Sequence, residues 1–578
     1  MYNETIKQLP LNKEVYNKSI ELGYTDLQSS IIASKLTSVS DIEFVFNPRL
    51  RDIPDFLNLV SEVDNAVDLI EHAMKNNERI AIVVDYDCDG ISSAAVLYRF
   101  FKNIFKYNLD NLEVIINKRE NGNGIGVKLL NTILTEHKRN PINLVITADH
   151  GSANGSSIEM LQEHNIKVVV TDHHLVPDDG SARVADAFVN PQKDKNETFK
   201  SISGCAVAFF TAYSLAEKYG YTDVADIYNM LPIVAISTIG DAMDLSNPIN
   251  RALTISGLKE LNSLKDPLWQ AVKYLLDVNV LMDEETLGFN IVPALNAASR
   301  MGQPDAAFKF YIAEEYRDAV ISFEKLLEIN ADRKKLQKHL TRNALLQCIN
   351  AENEDALVIT LTQGLGLNGI VSSSVGEKYN KPVVTFIKDG DSYHGSGRAI
   401  NPNFDLHAAL SNIKEKAPDV LIKFGGHKGA AGCEVHADKI NDFKKLLGSE
   451  AKEQLTGKET KKVHYVIGKI ENDKLNESII NEIKTLSPFG MKFNKIFFVG
   501  DFTLHKVIYI GRDSEHVNLK LLDNHGIIYD SFIFNFDNKF DEDLLERDMK
   551  IRIVYRPVLN TFKGNIELRL EIEHINKL

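Results

Sequence analysis

The sequence has few cysteines and lacks a long apolar run, and both absences exclude broad classes of protein. Its four cysteines lie far apart and form no C-x-x-C pair: Cys88, Cys205, Cys348 and Cys433. This argues against a zinc ribbon or a disulfide framework and favours a reducing cytoplasm. No apolar stretch reaches about 18 residues, so we expect no membrane span. The first residues lack the basic start and apolar core of a signal peptide, so we expect none.

The chain also lacks an excess of positive charge. It carries 66 basic and 80 acidic residues, a net charge of −14. Such acidity does not favour nucleic-acid binding, so any binding of this kind requires a local basic groove. The 578 residues predict three or four domains of roughly 100–200 residues each. A hydrophobic content of 44% and a charged content of 25% are ordinary for a globular protein.

One apolar run ends in three acids at alternate positions. Residues 79–84 read as a buried strand of a parallel sheet, and Asp85, Asp87 and Asp89 follow. Ligands in open α/β sheets bind beyond the carboxyl ends of the strands. Three crowded carboxylates repel unless a cation neutralises them, and oxygen ligands suit Mg²⁺ or Mn²⁺. A divalent-metal site is therefore our hypothesis, with an acidic surface turn as the alternative. A calcium-binding EF-hand loop requires Glu at its twelfth position, which is Val96 here.

The same pattern recurs along the chain. The run 143–147 leads to Asp149, and the run 166–170 leads to Asp172, His173 and His174. Segments between the strands look helical, which predicts a βαβ arrangement with the strand ends gathered on one edge. A further apolar, helical run at 230–239 ends near Asp241, which is either a solvated helix cap or a ligand. Two ions roughly 3.5–4 Å apart can share a carboxylate, activate a water and stabilise the leaving oxygen of a phosphodiester.

At this point the motifs resemble the DHH phosphoesterase superfamily, and most closely its RecJ-type single-strand-specific exonucleases. The motifs fall in the family's order and cover nearly the whole chain. They are Asp85-Tyr-Asp-Cys-Asp-Gly90, Asp149-His-Gly151, Asp172-His-His174, Ile239-Gly-Asp-Ala-Met-Asp-Leu245, Pro293-Ala-Leu-Asn-Ala-Ala-Ser-Arg-Met301, Gly395-Ser-Gly-Arg-Ala399 and Gly425-Gly-His-Lys-Gly-Ala-Ala-Gly432.

The resemblance implies a set of metal ligands and catalytic residues. Asp87 and Asp149 would hold one Mn²⁺ or Mg²⁺ ion, and Asp149 would bridge to a second ion. The ligands of the second ion would be Asp89, Asp149, His173 and Asp241. Many superfamily members have His where this chain has Val83, so Asp85 or a water must fill that place. His174 would contact the scissile phosphate or the leaving group, and Asp85, Asp149 and His174 are the expected catalytic residues.

The resemblance also implies the fold and the substrate contacts. We expect an α/β protein with a helical region at 1–75, a parallel-sheet DHH domain at 76–312 and a connecting helix at 313–350. A DHH-associated α/β domain would follow at 351–455, with an OB-like β-barrel at 460–578. Five residues would face the phosphates of the strand: Arg300, Ser396, Arg398, Gly426 and His427. The glycine-rich stretch before Cys433 is no nucleotide-binding P-loop, since Lys is required where Cys433 stands.

Three features of the second half carry alternatives. Lys334, Lys338 and Arg342 share one face of the helix predicted from Tyr316 to Cys348, and either contact DNA or form a solvated face.

Short strands are predicted at 463–467, 495–499, 507–510, 517–522 and 550–555. Small barrels of this kind bind single strands by charge and by aromatic stacking. Phe489, Phe493 and Tyr509 are candidate stacking residues or simply core of the barrel. Asn123 stands where the family often has tyrosine.

These expectations combine into a function. The chain would be a metal-dependent 5′-to-3′ exonuclease that degrades single-stranded DNA to mononucleotides in DNA repair and recombination. The alternatives are a hydrolase of short oligonucleotides or cyclic dinucleotides, and a scaffold that binds single strands without cleaving them. The expected partner is single-stranded DNA in the cytoplasm, with a single-strand-binding protein or a helicase as a further partner.

Overall fold

The computed structural model describes most of the chain and shows a mixed α/β architecture. It describes residues 5–578 except 178–183, 222–223, 279, 350, 459–461, 472–473, 512–515, 535, 537–544 and 563–564. Two α/β units and a closed barrel succeed one another along the chain, which confirms the predicted fold class. The domain boundaries given above stay a prediction. No described helix combines the length and the apolar character that crossing a bilayer requires.

The N-terminal region is mainly helical but begins with a strand. Its elements are β1 Thr5–Gln8, α1 Lys13–Glu21, α2 Asp26–Lys35, α3 Asp41–Phe46, α4 Phe56–Leu59 and α5 Val63–Lys75. Apolar side chains of α1 to α3 share a core with the barrel, whereas α4 and α5 pack on the parallel-sheet unit. The short strand β1 is an addition to the helical region expected from the sequence, because its partner strand lies more than 450 residues away and leaves no local pattern.

The parallel-sheet unit contains five strands in the order β3-β2-β4-β5-β6, all parallel. The strands are β2 Ile80–Val84, β3 Leu112–Ile116, β4 Leu144–Ala148, β5 Lys167–Thr171 and β6 Ala187–Val189. The helices around them are α6 Cys88–Arg99, α7 Val127–Arg139, α8 Gly155–Glu163 and α9 Gly204–Tyr219. Every residue of β2 and β4 is buried, as expected for strands covered on both faces. The predicted strands are therefore confirmed, and their carboxyl ends meet at one edge.

A helical layer completes this unit and leads into the next. Its helices are α10 Val224–Tyr228, α11 Leu231–Gly240, α12 Pro248–Ser263, α13 Pro267–Leu275, α14 Glu284–Thr286, α15 Val292–Arg300 and α16 Asp305–Tyr311. A long helix, α17 Tyr316–Gln347, follows with 32 residues, which corresponds to about 48 Å at 1.5 Å per residue. This confirms the long helix that the sequence predicts.

The second α/β unit has a mixed sheet in the order β10-β11-β9-β8-β7. Its strands are β7 Leu357–Leu361, β8 Val383–Asp389, β9 Ser392–Arg398, β10 Leu421–His427 and β11 Ala430–His436. Its helices are α18 Asn368–Tyr379, α19 Leu406–Lys416 and α20 Ile440–Leu455. Only the pair β7–β8 is parallel, and the other pairs are antiparallel.

The C-terminal region is a closed barrel in the order β13-β14-β15-β17-β16. Two elements precede it, β12 Val463–Val466 and α21 Glu477–Lys484, and the barrel strands are β13 Phe498–Ile510, β14 His516–Leu522, β15 Ile528–Ile533, β16 Lys550–Phe562 and β17 Asn565–Lys577. The strands predicted at 495–499 and 507–510 are one strand, because pairing with β16 passes directly into pairing with β14. The strand predicted at 463–467 lies outside the barrel, where β12 pairs with β1.

The candidate stacking residues of the barrel differ in exposure. Phe493 is fully buried and stacks on the partly buried Phe489, with ring centroids 5.6 Å apart. The alternative that Phe493 belongs to the core is therefore correct. Tyr509 near the end of β13 is 44% exposed, so its ring is accessible.

Candidate active site

The end of strand β2 turns directly into helix α6 and presents its three acids there. Asp87 is the N-cap of α6, and its carboxylate accepts hydrogen bonds from the backbone N–H groups of Asp89 and Gly90, at 3.0 and 3.2 Å. A Cβ atom on Gly90 would lie 2.4 Å from the carbonyl oxygen of Asp85. Only glycine therefore allows the turn that places Asp85 and Asp87 at the sheet edge.

Asp89 is buried and both of its carboxylate oxygens are held. They accept hydrogen bonds from the backbone N–H groups of Gly204 and Cys205, at 2.7 and 2.8 Å, and from the hydroxyl of Ser237, at 2.6 Å. Gly204 and Cys205 begin helix α9, whose N-terminus favours a negative charge. A Cβ on Gly204 would meet Asp149 at 2.8 Å, so the close approach requires glycine. The carboxylate of Asp89 is thus fixed in orientation.

His173 lies at the centre of the acidic cluster. Its Nδ1 atom is 3.1 Å from the carbonyl oxygen of Ile202, which assigns the proton to Nδ1 and leaves the lone pair of Nε2 free. Nε2 lies 3.2 Å from an oxygen of Asp149, and 3.6 Å from oxygens of both Asp89 and Asp241. Neighbouring ligands of one octahedral ion with bonds of about 2.1 Å lie about 3.0 Å apart. The spacing of Asp89, His173 and Asp241 therefore fits one divalent cation, and Asp149 with His173 and His174 forms a second group of suitable spacing.

The acids of the cluster repel one another in the absence of a cation. Burial, followed by the charges of Asp89 and Asp87, raises the pKa of Asp149 well above its ordinary value and that of Asp241 to about 8. Burial and the charge of Asp87 raise the pKa of Asp85 to about 7. These carboxylates cannot all be ionised near neutral pH unless a positive ion sits among them. The charge balance of the site thus also fits a divalent cation.

His174 lies beside His173 at the same cluster and is held by Asp172. Its Nδ1 atom is 2.8 Å from a carboxylate oxygen of Asp172 and 3.9 Å from one of Asp149. Burial alone would raise the pKa of Asp172, but hydrogen bonds from His174 and Ser152 hold it well below its ordinary value. The same hydrogen bond raises the pKa of His174 to about 9. The imidazole is 55% exposed and can therefore donate a proton to a bound group.

Val83 stands where many members of the superfamily have histidine, and it cannot bind a metal ion. Val83 is completely buried and packs in the core beneath the sheet, so it offers nothing to an ion. Asp85 lies two residues further along, with one oxygen 3.5 Å from the amide of Asn117. Asp85 thus stands at the same sheet edge as Asp87 and Asp149. Its assignment to the first ion stays a prediction.

Arginines from both α/β units gather beside the acidic cluster. Arg300 ends α15 and donates to the carbonyl oxygen of Gly366, at 2.8 Å, across the two units. Burial and the charges of Arg119 and Arg333 lower the pKa of Arg300 to about 10. A pocket between the units is lined by Lys118, Arg119, Ser299, Arg300, Gly364 and Gly366, among others. This is the local positive surface that the acidic chain requires if it binds a phosphate backbone.

Ser396 and Arg398 reach the same region from strand β9. The guanidinium of Arg398 donates to the Ser396 hydroxyl at 3.3 Å and to the carbonyl oxygen of Gly397 at 2.8 Å. A Cβ on Gly369, in the first turn of α18, would lie 2.8 Å from Ser396 and 2.9 Å from Arg398. A hydroxyl, a guanidinium and a helix N-terminus therefore meet, which is a suitable combination for an anion.

Gly426 and His427 lie on the adjoining hairpin. His427 is opposite Ala430, and Ala430 is opposite Arg398, so the three form one row across β10, β11 and β9. Gly426 has a φ of 134°, and a Cβ there would lie 2.5 Å from the carbonyl oxygen of Ala430, so the position requires glycine. Four of the five predicted phosphate contacts thus lie on strands β9 and β10 of one sheet, and Arg300 lies close enough to Arg398 for their charges to interact. Their roles stay a prediction.

The structure adds site residues that the sequence did not single out. The guanidinium of Arg119 lies over the ring of Tyr86 at 4.3 Å, and the Tyr86 hydroxyl donates to the side chain of Asn123. Arg119 follows the end of strand β3, so the rule applied to the other strand ends would have found it. Ser237 left no such signal, because its contact with Asp89 joins residues 148 positions apart.

Known families match three stretches of the chain. Residues 79–238 match the DHH family, N-terminal domain. Residues 365–453 match the DHHA1 domain, and residues 468–574 match the RecJ OB domain. The three stretches fall on the parallel sheet, the mixed sheet and the barrel, respectively.

Curated relatives extend the similarity to most of the chain. The single-stranded-DNA-specific exonuclease RecJ of Haemophilus influenzae is 27% identical over 541 residues, 90% of this chain and 92% of the relative. The protein of the same name from Escherichia coli is 28% identical over 539 residues, 89% of this chain and 90% of the relative.

Solved structures share the fold. RecJ from Thermus thermophilus in complex with Mn²⁺ has a TM-score of 0.80 and 21% identity, covering 99% of this chain and 79% of that one. An exonuclease RecJ bound to manganese has a TM-score of 0.56 and 25% identity over 68% of this chain and 94% of that one. The fold and the strand-edge acids define a protein of the DHH family. With the RecJ OB domain at its C-terminal end, the chain belongs to the RecJ-type branch of that family.

Proposed function

We propose that the chain is a metal-dependent exonuclease that hydrolyses the phosphodiester bonds of single-stranded DNA. The observation that carries the proposal is the convergence of three carboxylates on Nε2 of His173, at 3.2–3.6 Å. Arg119 and Arg300 lie beside the same acids, so a phosphate can lie between negative and positive groups. The RecJ relatives, which are named as single-stranded-DNA-specific exonucleases, align with 90% and 89% of this chain.

We propose that the sheet edge holds two divalent cations, Mn²⁺ or Mg²⁺, because its carboxylates and imidazole are ligands that such ions accept. We assign Asp87 and Asp149 to the first, with Asp85 nearby, and Asp149 also to the second. The remaining ligands of the second cation are Asp89, His173 and Asp241. When bound, such a pair supplies an activated water and neutralises the charge that develops on the phosphoryl oxygens. Structures of RecJ proteins in complex with Mn²⁺ and with Mg²⁺ support the choice of these two metals.

His174 donates a proton, and the arginines bind the phosphates of the strand. The hydrogen bond to Asp172 raises the pKa of His174 to about 9, so the exposed edge of the imidazole can donate a proton to a phosphate oxygen or to the leaving oxygen. Arg300, Arg398 and Ser396 bind backbone phosphates, which orients the strand without reading its bases. Gly426 and His427 extend that surface along the hairpin. We propose digestion from the 5′ end to mononucleotides.

The barrel favours long strands over short substrates. Barrels of the OB type bind single strands by charge and stacking, whereas a dinucleotide has no need of such a surface. Strand binding without catalysis is the weaker alternative, because Asp87, Asp89, Asp149, His173 and Asp241 are all present. We place the activity in the cytoplasm and in DNA repair and recombination. A helicase or single-strand-binding protein would present the strand, and the four free, buried cysteines suit a reducing compartment.

The test uses oligonucleotides labelled at the 5′ or the 3′ end and incubated with Mn²⁺. We expect labelled mononucleotide at once from the 5′ label, and only late from the 3′ label. Double-stranded DNA and matched RNA serve as controls for strand type, and a dinucleotide serves as the control for length. Early release from the 3′ end would reject the polarity, and faster turnover of the dinucleotide would favour the oligonucleotide hydrolase.

A further inference from the structure

The loop that follows Asp241 runs from the acidic cluster into the core of the barrel. Asp241 ends helix α11, and Leu245, four residues later, is 1% exposed and belongs to the core that the barrel shares with Leu486 and Phe493, which precede its first strand. The backbone N–H of Leu245 donates to the carbonyl oxygen of Met491 at 3.0 Å. A candidate metal ligand and a residue of the core shared with the barrel are therefore separated by only three residues.

The loop has little freedom between these two points. The N–H of Asp241 donates to the carbonyl oxygen of Ser237 at 2.8 Å, and that of Met243 donates to Thr238 at 3.0 Å. Ala242 between them has a φ of 53°, a tight left-handed turn. A displacement of Leu245 is therefore transmitted to Asp241 rather than absorbed by the loop.

Residues 486–494, which we call the pre-barrel segment, form the other side of this contact. The guanidinium of Arg251, which is 1% exposed, donates to the carbonyl oxygens of Pro488 and Leu486 at 2.8 and 3.0 Å. The carboxylate of Glu284 accepts from the Ser487 hydroxyl at 2.6 Å and from the N–H of Phe489 at 2.9 Å. The helical layer thus holds the pre-barrel segment through two buried charged side chains.

Two further contacts join the segment to the loop. The ammonium of Lys492 lies 3.1 Å from a carboxylate oxygen of Asp244. A Cβ on Gly490 would lie 2.8 Å from a methyl group of Leu245, so the backbone of the segment closely approaches that side chain. The loop is therefore clamped by main-chain, apolar and charged contacts from one short stretch.

We infer that the pre-barrel segment positions Asp241, so that the barrel sets the affinity of the active site for its divalent cation. This inference rests on the proposed function, because it assigns Asp241 to a metal ion. It gives Leu245 and Lys492 the role of positioning residues. The barrel then acts on the chemistry as well as on the strand.

The test measures Mn²⁺ binding to the full chain by equilibrium dialysis, independently of nuclease activity. The variant is Leu245→Ala, and its matched control is Leu519→Ala, a fully buried leucine of the same barrel core that lies on β14. We expect Leu245→Ala to weaken binding at the Asp241 site about tenfold, as lost support of a ligand typically does. Leu519→Ala should bind Mn²⁺ as the unaltered protein does, even if it melts at a similarly reduced temperature.

Lys492→Ala provides a second test that does not disturb the core. Coulomb's law alone predicts tighter Mn²⁺ binding when a nearby positive charge is removed. Loss of positioning predicts binding about two- to threefold weaker, in line with an exposed ion pair, and Lys492→Arg should restore it. Whether Lys492→Ala binds Mn²⁺ more weakly or more tightly therefore separates the positioning role from simple electrostatics. This result tests the positioning role even if Leu245→Ala fails to fold.

The outcomes distinguish this inference from the proposed function. If the unaltered chain binds no more Mn²⁺ than Asp149→Ala does, the proposed metal centre itself is wrong. If the unaltered chain binds Mn²⁺ but Leu245→Ala and Leu519→Ala behave alike, only the positioning role is overturned. Tighter binding by Lys492→Ala would overturn it as well.

Discussion

Ser237→Ala should weaken the metal centre without touching a metal ligand. The hydroxyl of Ser237 is fully buried and donates to the carboxylate of Asp89 at 2.6 Å. A hydrogen bond to a charged group contributes about 1.5–3 kcal/mol, against about 1 kcal/mol for a neutral pair. Loss of about 2 kcal/mol of support for Asp89 corresponds to about 30-fold weaker cation binding, within the range found for residues that orient metal ligands.

Ser93→Ala is a matched control for this change. Ser93 is also fully buried, and its hydroxyl donates at 2.8 Å to the backbone carbonyl of Asp89 rather than to its carboxylate. We expect Ser93→Ala to cost about 1 kcal/mol of folding stability and to leave Mn²⁺ binding nearly unchanged. The assay is Mn²⁺ titration of nuclease activity on a 5′-labelled strand, with urea unfolding measured separately in chelator. Equal Mn²⁺ dependence of the two variants would refute the role assigned to the Ser237 hydroxyl.

The remaining predictions address the acids, the pH, the strand and the turn. Asp149→Asn should abolish cleavage while strand binding in a gel-shift assay persists; residual cleavage above about 1% would remove Asp149 from the mechanism. Burial and repulsion raise the pKa of Asp241 to about 8 in the metal-free fold. The contribution of this carboxyl group to the free energy of unfolding is therefore most favourable below about pH 4, and it decreases as the pH rises toward 8. The Tm increase caused by Mn²⁺ should therefore grow from pH 6 to 9, and a constant increase would contradict this. Arg398→Ala should reduce the salt slope of single-strand affinity by about 0.7, and an unchanged slope would exclude a phosphate contact. Gly90→Ala should destabilise the fold by about 3 kcal/mol or more, because its Cβ would lie 2.4 Å from a backbone oxygen, whereas Gly448→Ala in an open helical position should not; equal effects in thermal melts would contradict this.

The strand-edge acids could be predicted because their signal is local. Asp85, Asp149 and His173 each follow an apolar strand closely, and parallel strands bring their carboxyl ends to one edge. The long helix α17 was equally visible, because its pattern extends over 32 residues.

Contacts between distant segments could not be predicted in this way. The hydroxyl of Ser237 reaches Asp89 across 148 residues, and one serine in an apolar helix does not reveal its partner. The same holds for β12, whose partner β1 lies at the other end of the chain. Strand β13 was divided in two because its middle carries no apolar run, whereas pairing with two successive neighbours keeps it continuous.

The most direct test of the metal centre is anomalous diffraction from crystals of the protein grown with Mn²⁺. We expect one peak about 2.2 Å from Nε2 of His173 and from carboxylate oxygens of Asp89, Asp149 and Asp241. A second peak should lie about 3.5–4 Å from the first, on the side of Asp87, with Asp149 between the two. Peaks elsewhere, or no peak at this sheet edge under conditions in which the protein cleaves DNA, would contradict the shared cation centre.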